Sequence, residues 1–270
     1  MNLFDRFLKR EIRTFDEDWA SLKKEELRSA SEYEKSKTLK EYNNFLFSQG
    51  DIYSYMQEFQ RINGNEQFLV GAGIFAFAKK HIAYKNFIDI GSGYAIIPLL
   101  IGINKDLSIL STDYNRDQIE LLEKTIDIEN IKFECLDLFK TNFKIFKGQD
   151  VLLINGTEFG LYDKTIEKIN KAAYEHNIKE IWITTNHIFD WSFRRNQSYL
   201  FHILRIIFRS KNLKKGRLIG FYRSLFLLKS LFSNYCLVDK IPNFNTSQRL
   251  FLRFQLKKSL IQKSSKQFIF

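Results

Sequence analysis

The sequence predicts an α/β fold. The expected core is a doubly wound, seven-stranded, mostly parallel sheet with an antiparallel last strand. An N-terminal helical cap and a helical insert between strands 5 and 6 complete it. Three observations carry this reading. From residue 86 onward, short apolar runs alternate with amphipathic segments, the pattern of parallel strands joined by right-handed crossover helices. The last two β-rich runs are separated only by "PNFNTSQ", too short for a crossover helix, so they pair antiparallel. Within "NFIDIGSGYAIIPLL" (86–100), one carboxylate and two glycines interrupt the most apolar stretch of the chain. That is where a strand must turn into a helix and meet something.

Residues 1–65 form the expected cap or lid. "DEDWASLKKEELRSASEYEKSKTLKEYNNFLF" carries acid–base pairs at i,i+4 and aromatics at helical spacing. Gly50 breaks it, and Asp51 reads as the N-cap of "IYSYMQEF". Tyr53, Tyr55, Phe59, Glu66 and Gln67 lie where such a lid would close over the domain. The domain spans 66–257 and opens with a buried helix, "NEQFLVGAGIFAFAKKH". Then "NFIDI" (86–90), "LSILSTD" (107–113), "IKFECLD" (131–137), "DVLLING" (150–156) and "EIWITTN" (180–186) read as buried strands. Between them, 94–103, 115–128 and 161–177 read as helices, with Pro98 near the first turn of its helix. A basic, apolar insert spans about 194–233. "YCLVDKI" (235–241) and "RLFLRFQL" (249–256) form the terminal hairpin, and 258–270 is a Lys/Ser-containing tail.

Composition bounds the function classes. Hydrophobic residues are 44% and charged residues 27%, a globular balance that allows one sizeable core. Cys135 and Cys236 stand in separate segments, which argues against a disulfide framework and a Cys-based zinc site. With only four scattered His, no metal site is expected. "MNLFDRFLKREIRTF" has no apolar h-region, so no signal peptide is expected. No uncharged apolar run approaches the roughly 18 to 20 residues that span a bilayer. A cytoplasmic protein, peripheral at the inner membrane surface if lipid-bound at all, is the expectation.

In an open α/β sheet, ligands bind beyond the carboxyl ends of the strands. After the first strand comes Asp89-Ile90-Gly91-Ser92-Gly93-Tyr94-Ala95. Its glycines permit a tight turn and close approach of a ligand to the backbone. After the second strand comes Asp113, 20 residues beyond Gly93, where a carboxylate can accept two hydrogen bonds from a ribose diol. After the third comes Asp137, and after the fourth Asn155-Gly156-Thr157-Glu158. Each alone is weak evidence: a lone G-x-G also makes an ordinary turn, and a lone strand-end Asp is often an N-cap. The ordered set, one per βα unit, says more.

"FIDIGSGYA", "ILSTDYN", "FECLDLF" and "DVLLING" resemble the successive motifs of class I S-adenosylmethionine-dependent methyltransferases. The terminal hairpin resembles the reversed seventh strand of that fold. The resemblance covers roughly residues 65 to 257. It implies S-adenosyl-L-methionine as cofactor, with Asp89, Gly91, Ser92 and Gly93 beside its methionine moiety. It further implies Asp113 on the ribose hydroxyls, Tyr114 beside the adenine, Asp137 and Leu138 at the adenine's other edge, and Asn155 under the sulfonium. Ala95 replaces the third glycine of the family loop. "NGTEF" lacks the [DN]-P-P-[YF] signature of amino-methylating enzymes. A dinucleotide site is the rival for the fold, but it expects glycine where Ile96 stands.

Methyl transfer from a sulfonium depends mainly on positioning, and a general base is needed chiefly for hydroxyl acceptors. Glu158 and His187 are the candidates, with Asp190 nearby. The acceptor is expected to be a small molecule, a sugar or a lipid-linked hydroxyl. RNA or protein methylation is the alternative enzyme reading, and a membrane-associated binding module without activity is the non-enzyme one. The net charge is +11, and between Asp190 and Asp239 no acidic residue occurs. Arg194, Arg195, Arg205, Arg209, Lys211, Lys214, Lys215, Arg217, Arg223 and Lys229 lie in that stretch. Residues 198–232 read as a cap packed on the sheet, as an element for an anionic membrane surface, or, less favoured, as a nucleic-acid surface. Oligomeric state is not legible.

Overall fold

The computed structural model describes residues 51–63, 65–80, 83–185, 188–189, 223–242, 244 and 249–257. Two helices precede the sheet: α1 (Ile52–Asn63) and α2 (Glu66–Lys80). Asp51 caps α1, accepting from Ser54 N at 2.9 Å. There follow β1 (Asn86–Ile90), α3 (Ile96–Gly102), β2 (Ser108–Asp113), α4 (Arg116–Thr125), β3 (Ile131–Cys135), β4 (Val151–Asn155), α5 (Asp163–Glu175) and β5 (Glu180–Thr185). A short ladder, β6 (Ile188–Phe189) with β7 (Arg223–Ser224), leads into α6 (Leu225–Leu231). The hairpin β8 (Tyr235–Pro242) and β9 (Leu250–Leu256) closes the fold.

The main sheet has the order β3-β2-β1-β4-β5-β9-β8. β1 to β5 pair in parallel. β9 enters antiparallel between β5 and β8. The expected terminal pair is therefore present, and its last strand is the inner one. Because strand side chains alternate, the two faces form separate cores. Phe87, Val151, Leu153, Trp182 and Phe251 point to the side covered by α1 to α4. Ile88, Ile90, Leu152, Ile154, Ile183 and Leu252 point to the side covered by α5 and α6. Burial on both faces is why these strands read as continuous apolar runs.

A buried ionic cluster pins the reversed strand at the end of the sheet away from the β1 loop. Arg253 on β9 grips Glu180 on β5 through Nε (2.7 Å) and Nη2 (2.6 Å), and reaches Asp239 on β8 at 2.7 Å. Trp182 Nε1 and Tyr84 Oη donate to the same Glu180 carboxylate at 2.7 and 3.0 Å. Burial, with Glu180 opposite, pushes the Tyr84 phenol up to about 12.

Most of the predicted cap, residues 1–50, lies outside the described residues. Its last helix, α1, packs Tyr55 and Phe59 into the first core. Most of the insert also lies outside them, but α6 buries Leu227, Leu228 and Leu231 in the second core. Arg223 departs from the expectation that it belongs to a solvated basic surface, since it is 2% exposed. Among the described residues, no helix is long and apolar enough to cross a membrane, and no cluster of potential ligands could hold a metal ion.

Candidate functional site

The carboxyl ends of β1, β2 and β4 meet at one edge of the sheet. The loop after β1 is left-handed at three positions: Gly91 (φ 71°), Gly93 (φ 56°) and Ala95 (φ 57°). The first two differ in what surrounds them. A Cβ built on Gly91 would lie 2.5 Å from Thr157 Oγ1 and 2.7 Å from Thr157 Cγ2. Gly91 is thus glycine because the β4 loop presses against it. Among the described residues, a Cβ built on Gly93 would meet nothing within 4 Å. Gly93 faces open space, where a ligand can come against bare backbone.

The loop is held from every side. Ser92 N donates to Thr112 O at 2.9 Å, and Ser111 Oγ donates to Ser92 Oγ at 2.8 Å. Thr157 Oγ1 donates to Ile90 O at 2.9 Å. Tyr55 Oη, from α1, donates to Tyr94 O at 2.6 Å, and Phe59 packs on the Tyr94 ring at 5.3 Å between centroids. The predicted lid residues Tyr55 and Phe59 therefore buttress the loop from below as core residues. Glu66 instead pairs with Arg249 at 2.6 Å.

Two carboxylates converge here. Asp113 Oδ2 accepts from Gly93 N at 2.9 Å, and its Oδ1 accepts from Asn115 N at 3.0 Å. Each oxygen keeps a further lone pair. Asp89 is 1% exposed, and among the described residues its Oδ1 has no hydrogen-bond partner. Desolvation, with the Asp113 charge nearby, pushes the Asp89 carboxyl up to about 8. A buried carboxyl without a partner beside a second carboxylate favours a cationic ligand, because a positive charge would relieve both strains.

The other predicted positions are placed as follows. Tyr114 is exposed next to Asp113. Asp137 Oδ1 caps its own turn, accepting from Phe139 N at 2.9 Å, and Oδ2 meets Lys140 Nζ at 3.3 Å. The Leu138 side chain is buried in the second core, so only its backbone is available to a ligand. Asn155, at the end of β4, accepts from Thr184 Oγ1 at 2.5 Å. Glu158 lies one residue past Thr157 in a 3-10 turn (Thr157–Gly160). It is buried, and among the described residues neither carboxylate oxygen has a partner at hydrogen-bonding geometry. Burial raises its proton affinity; the Thr185 hydroxyl and the charges of Arg223 and Arg249 pull the other way. His187 and Asp190 lie outside the described residues.

Three residues escaped the sequence reading. Thr157 braces Gly91 across two loops, a contact with no local signature. Arg249 lies beside Gly156 and was hidden by its place before a strand. Arg223 was counted with a charged surface, although its apolar neighbours in "FYRSLFLL" were a cue to burial.

No family model matches the chain, and no curated protein matches it. Solved structures do. The mitomycin 7-O-methyltransferase superposes with a TM-score of 0.54 at 14% identity, over 95% of this chain and 76% of that one. Human N-acetylserotonin methyltransferase, solved with S-adenosylmethionine, superposes with a TM-score of 0.51 at 13% identity, over 90% of this chain and 68% of that one. What is shared at these identities is the fold, that of class I S-adenosylmethionine-dependent methyltransferases.

Proposed function

We propose, from the class I methyltransferase fold the chain adopts, that it is an S-adenosylmethionine-dependent methyltransferase acting on a hydroxyl of a small molecule, a sugar or a lipid-linked acceptor. The observation that carries the reading is the β1 loop: among the described residues, open space over Gly93, whose amide is held by Asp113. The residues fit the cofactor. Asp89, Gly91, Ser92 and Gly93 would take its methionine part, where the ammonium and sulfonium charges favour a nearby carboxylate. Asp113, holding the loop with one lone pair per oxygen, would accept the ribose diol with the others. Tyr114 would lie against the adenine, with Asp137 and the Leu138 backbone at its other edge. Asn155, its amide oxygen already oriented by Thr184, would lie under the sulfonium.

When bound, the cofactor supplies a methyl group already activated on a cationic sulfur. What remains for the protein is to position the acceptor and remove its proton. Glu158 suits the second task. Burial raises the carboxyl's proton affinity, against the pull of the Thr185 hydroxyl. We assign it the hydroxyl proton, with His187 as the other candidate. Support for an oxygen acceptor is the absence of an amino-methylating signature after β4 and the 7-O-methyltransferase among the structural neighbours. We place the reaction in the cytoplasm. Contact of 198–232 with an anionic membrane face belongs to the same proposal, tested by salt-sensitive co-sedimentation with anionic liposomes.

Calorimetric titration with S-adenosylhomocysteine tests the cofactor assignment. The expected result is one site per chain; absence of heat at high protein concentration would remove the proposal's basis.

A further inference from the structure

Arg223 is the first described residue of the basic insert, and its side chain does not stay at the surface. β7 places it beside Ile188, and its side chain runs inward to the loop between β4 and α5. Nη1 donates to Glu158 O at 2.6 Å, Nη2 donates to Leu161 O, and Nε donates to Asp163 Oδ1 at 3.0 Å. One guanidinium thus ties the two ends of the Glu158 turn to the first residue of α5. Its five donors in a rigid fork suit this task, which an ammonium cannot reproduce in full. Burying it is unfavourable: desolvation lowers its pKa, against the support of Asp163 and Glu158. Removing it alone would leave two backbone carbonyls and the Asp163 carboxylate without this partner.

We propose that Arg223 is a positioning residue for Glu158: its three hydrogen bonds fix the turn that carries the carboxyl. The inference rests on the assignment of Glu158 as proton acceptor. Among the described residues, the charged groups acting on Glu158 are Arg223 from β7 and Arg249 ahead of β9. Asp163 on α5 neutralises part of Arg223 and Glu66 on α2 part of Arg249; Thr185 on β5 adds a neutral hydroxyl. Removing Arg223 leaves a buried carboxyl with less compensating charge, so its proton is held to higher pH. Removing the Asp163 charge has the opposite sign, because Arg223 then acts on Glu158 undiluted.

The test is a pH titration of full-length protein labelled with 13C at the glutamate carboxyls, with Glu158→Gln identifying the Glu158 signal. Arg223→Met is expected to raise the Glu158 midpoint, Asp163→Asn to lower it, and Arg223→Lys to restore most of the wild-type value. S-adenosylhomocysteine affinity, read by calorimetry, should stay near wild type in all three. A purely structural Arg223 would lower thermal stability and leave the midpoint where it was. Unchanged midpoints in Arg223→Met and Asp163→Asn would overturn the proposal; if Arg223→Met does not fold, Asp163→Asn alone decides. Failure of the wild type to bind S-adenosylhomocysteine would instead count against the methyltransferase assignment, so the two failures are distinguishable.

Discussion

Gly91 and Gly93 are two residues apart, both left-handed, and the structure gives them different jobs. Substituting alanine separates those jobs. At either position the Cβ meets a left-handed backbone, which costs an L-residue about 1–2 kcal/mol. At Gly91 the new Cβ would also lie 2.5 Å from Thr157 Oγ1, 2.7 Å from Cγ2 and 3.1 Å from Thr157 Cβ. Relieving that overlap moves Thr157 away from Ile90 O, and overpacking of this kind adds about 1–3 kcal/mol. Gly91→Ala should therefore lower stability by about 2–5 kcal/mol in urea unfolding. The double variant Gly91→Ala, Thr157→Ala should recover part of it. Gly93→Ala meets no protein atom within 4 Å, so it should lose only the backbone contribution of about 1–2 kcal/mol. Its Cβ stands in the space assigned to the ligand, so S-adenosylhomocysteine affinity should fall by tenfold or more, about 1.4 kcal/mol. Wild-type affinity in a folded Gly93→Ala protein would refute this, because the open space would then not be the ligand's.

Other outcomes follow from the same geometry. Asp113→Ala removes both the anchor of Gly93 N and the proposed ribose acceptor, so calorimetry should show affinity reduced by about 10–100-fold, given about 1.5–3 kcal/mol for a hydrogen bond to a charged group. Asp89 has its folded pKa raised from 3.8 to about 8. The folded state therefore binds the extra proton between those values, and unliganded stability should fall as pH rises through roughly 4 to 8, a slope that Asp89→Asn abolishes in urea titrations at several pH values. Binding a cationic ligand should drive Asp89 to ionise, so calorimetry near pH 7 should detect proton release as a heat that varies with the buffer. Arg253→Met leaves Glu180 buried with only Trp182 and Tyr84, and should lower stability by about 3–5 kcal/mol in urea unfolding, without weakening S-adenosylhomocysteine binding.

What could be read beforehand depended on whether the cause was local. The strands were legible because β1, β4 and β5 are buried on both faces, so most of their residues are apolar, with Asp89 and Glu180 as exceptions. Asp89, Gly91, Gly93 and Asp113 were legible because each marks a point where an apolar run stops beside a turn. Residues set by contacts across the sequence were not. Thr157 acts on Gly91 from another loop, 66 residues away by its hydrogen bond to Gly91 O. Arg223 carries a charge, and charge suggests surface until its partners Asp163, Glu158 and Leu161 are in place. Leu138 followed a motif, but its side chain answers to the core. The 235–256 hairpin was visible as two β-rich runs, whereas the pairing of β9 with β5 joins residues far apart in sequence.

The central claim is that the carboxyl edge of the sheet, at the β1 loop, binds S-adenosylmethionine. Titrating S-adenosylhomocysteine into 15N-labelled protein tests it most directly. The account predicts that the amides of Gly91, Gly93, Tyr114 and Asn155 shift together and saturate, while those of Tyr84, Trp182 and Arg253 at the opposite end stay fixed. Shifts confined to that opposite end, or no shifts at all, would contradict it.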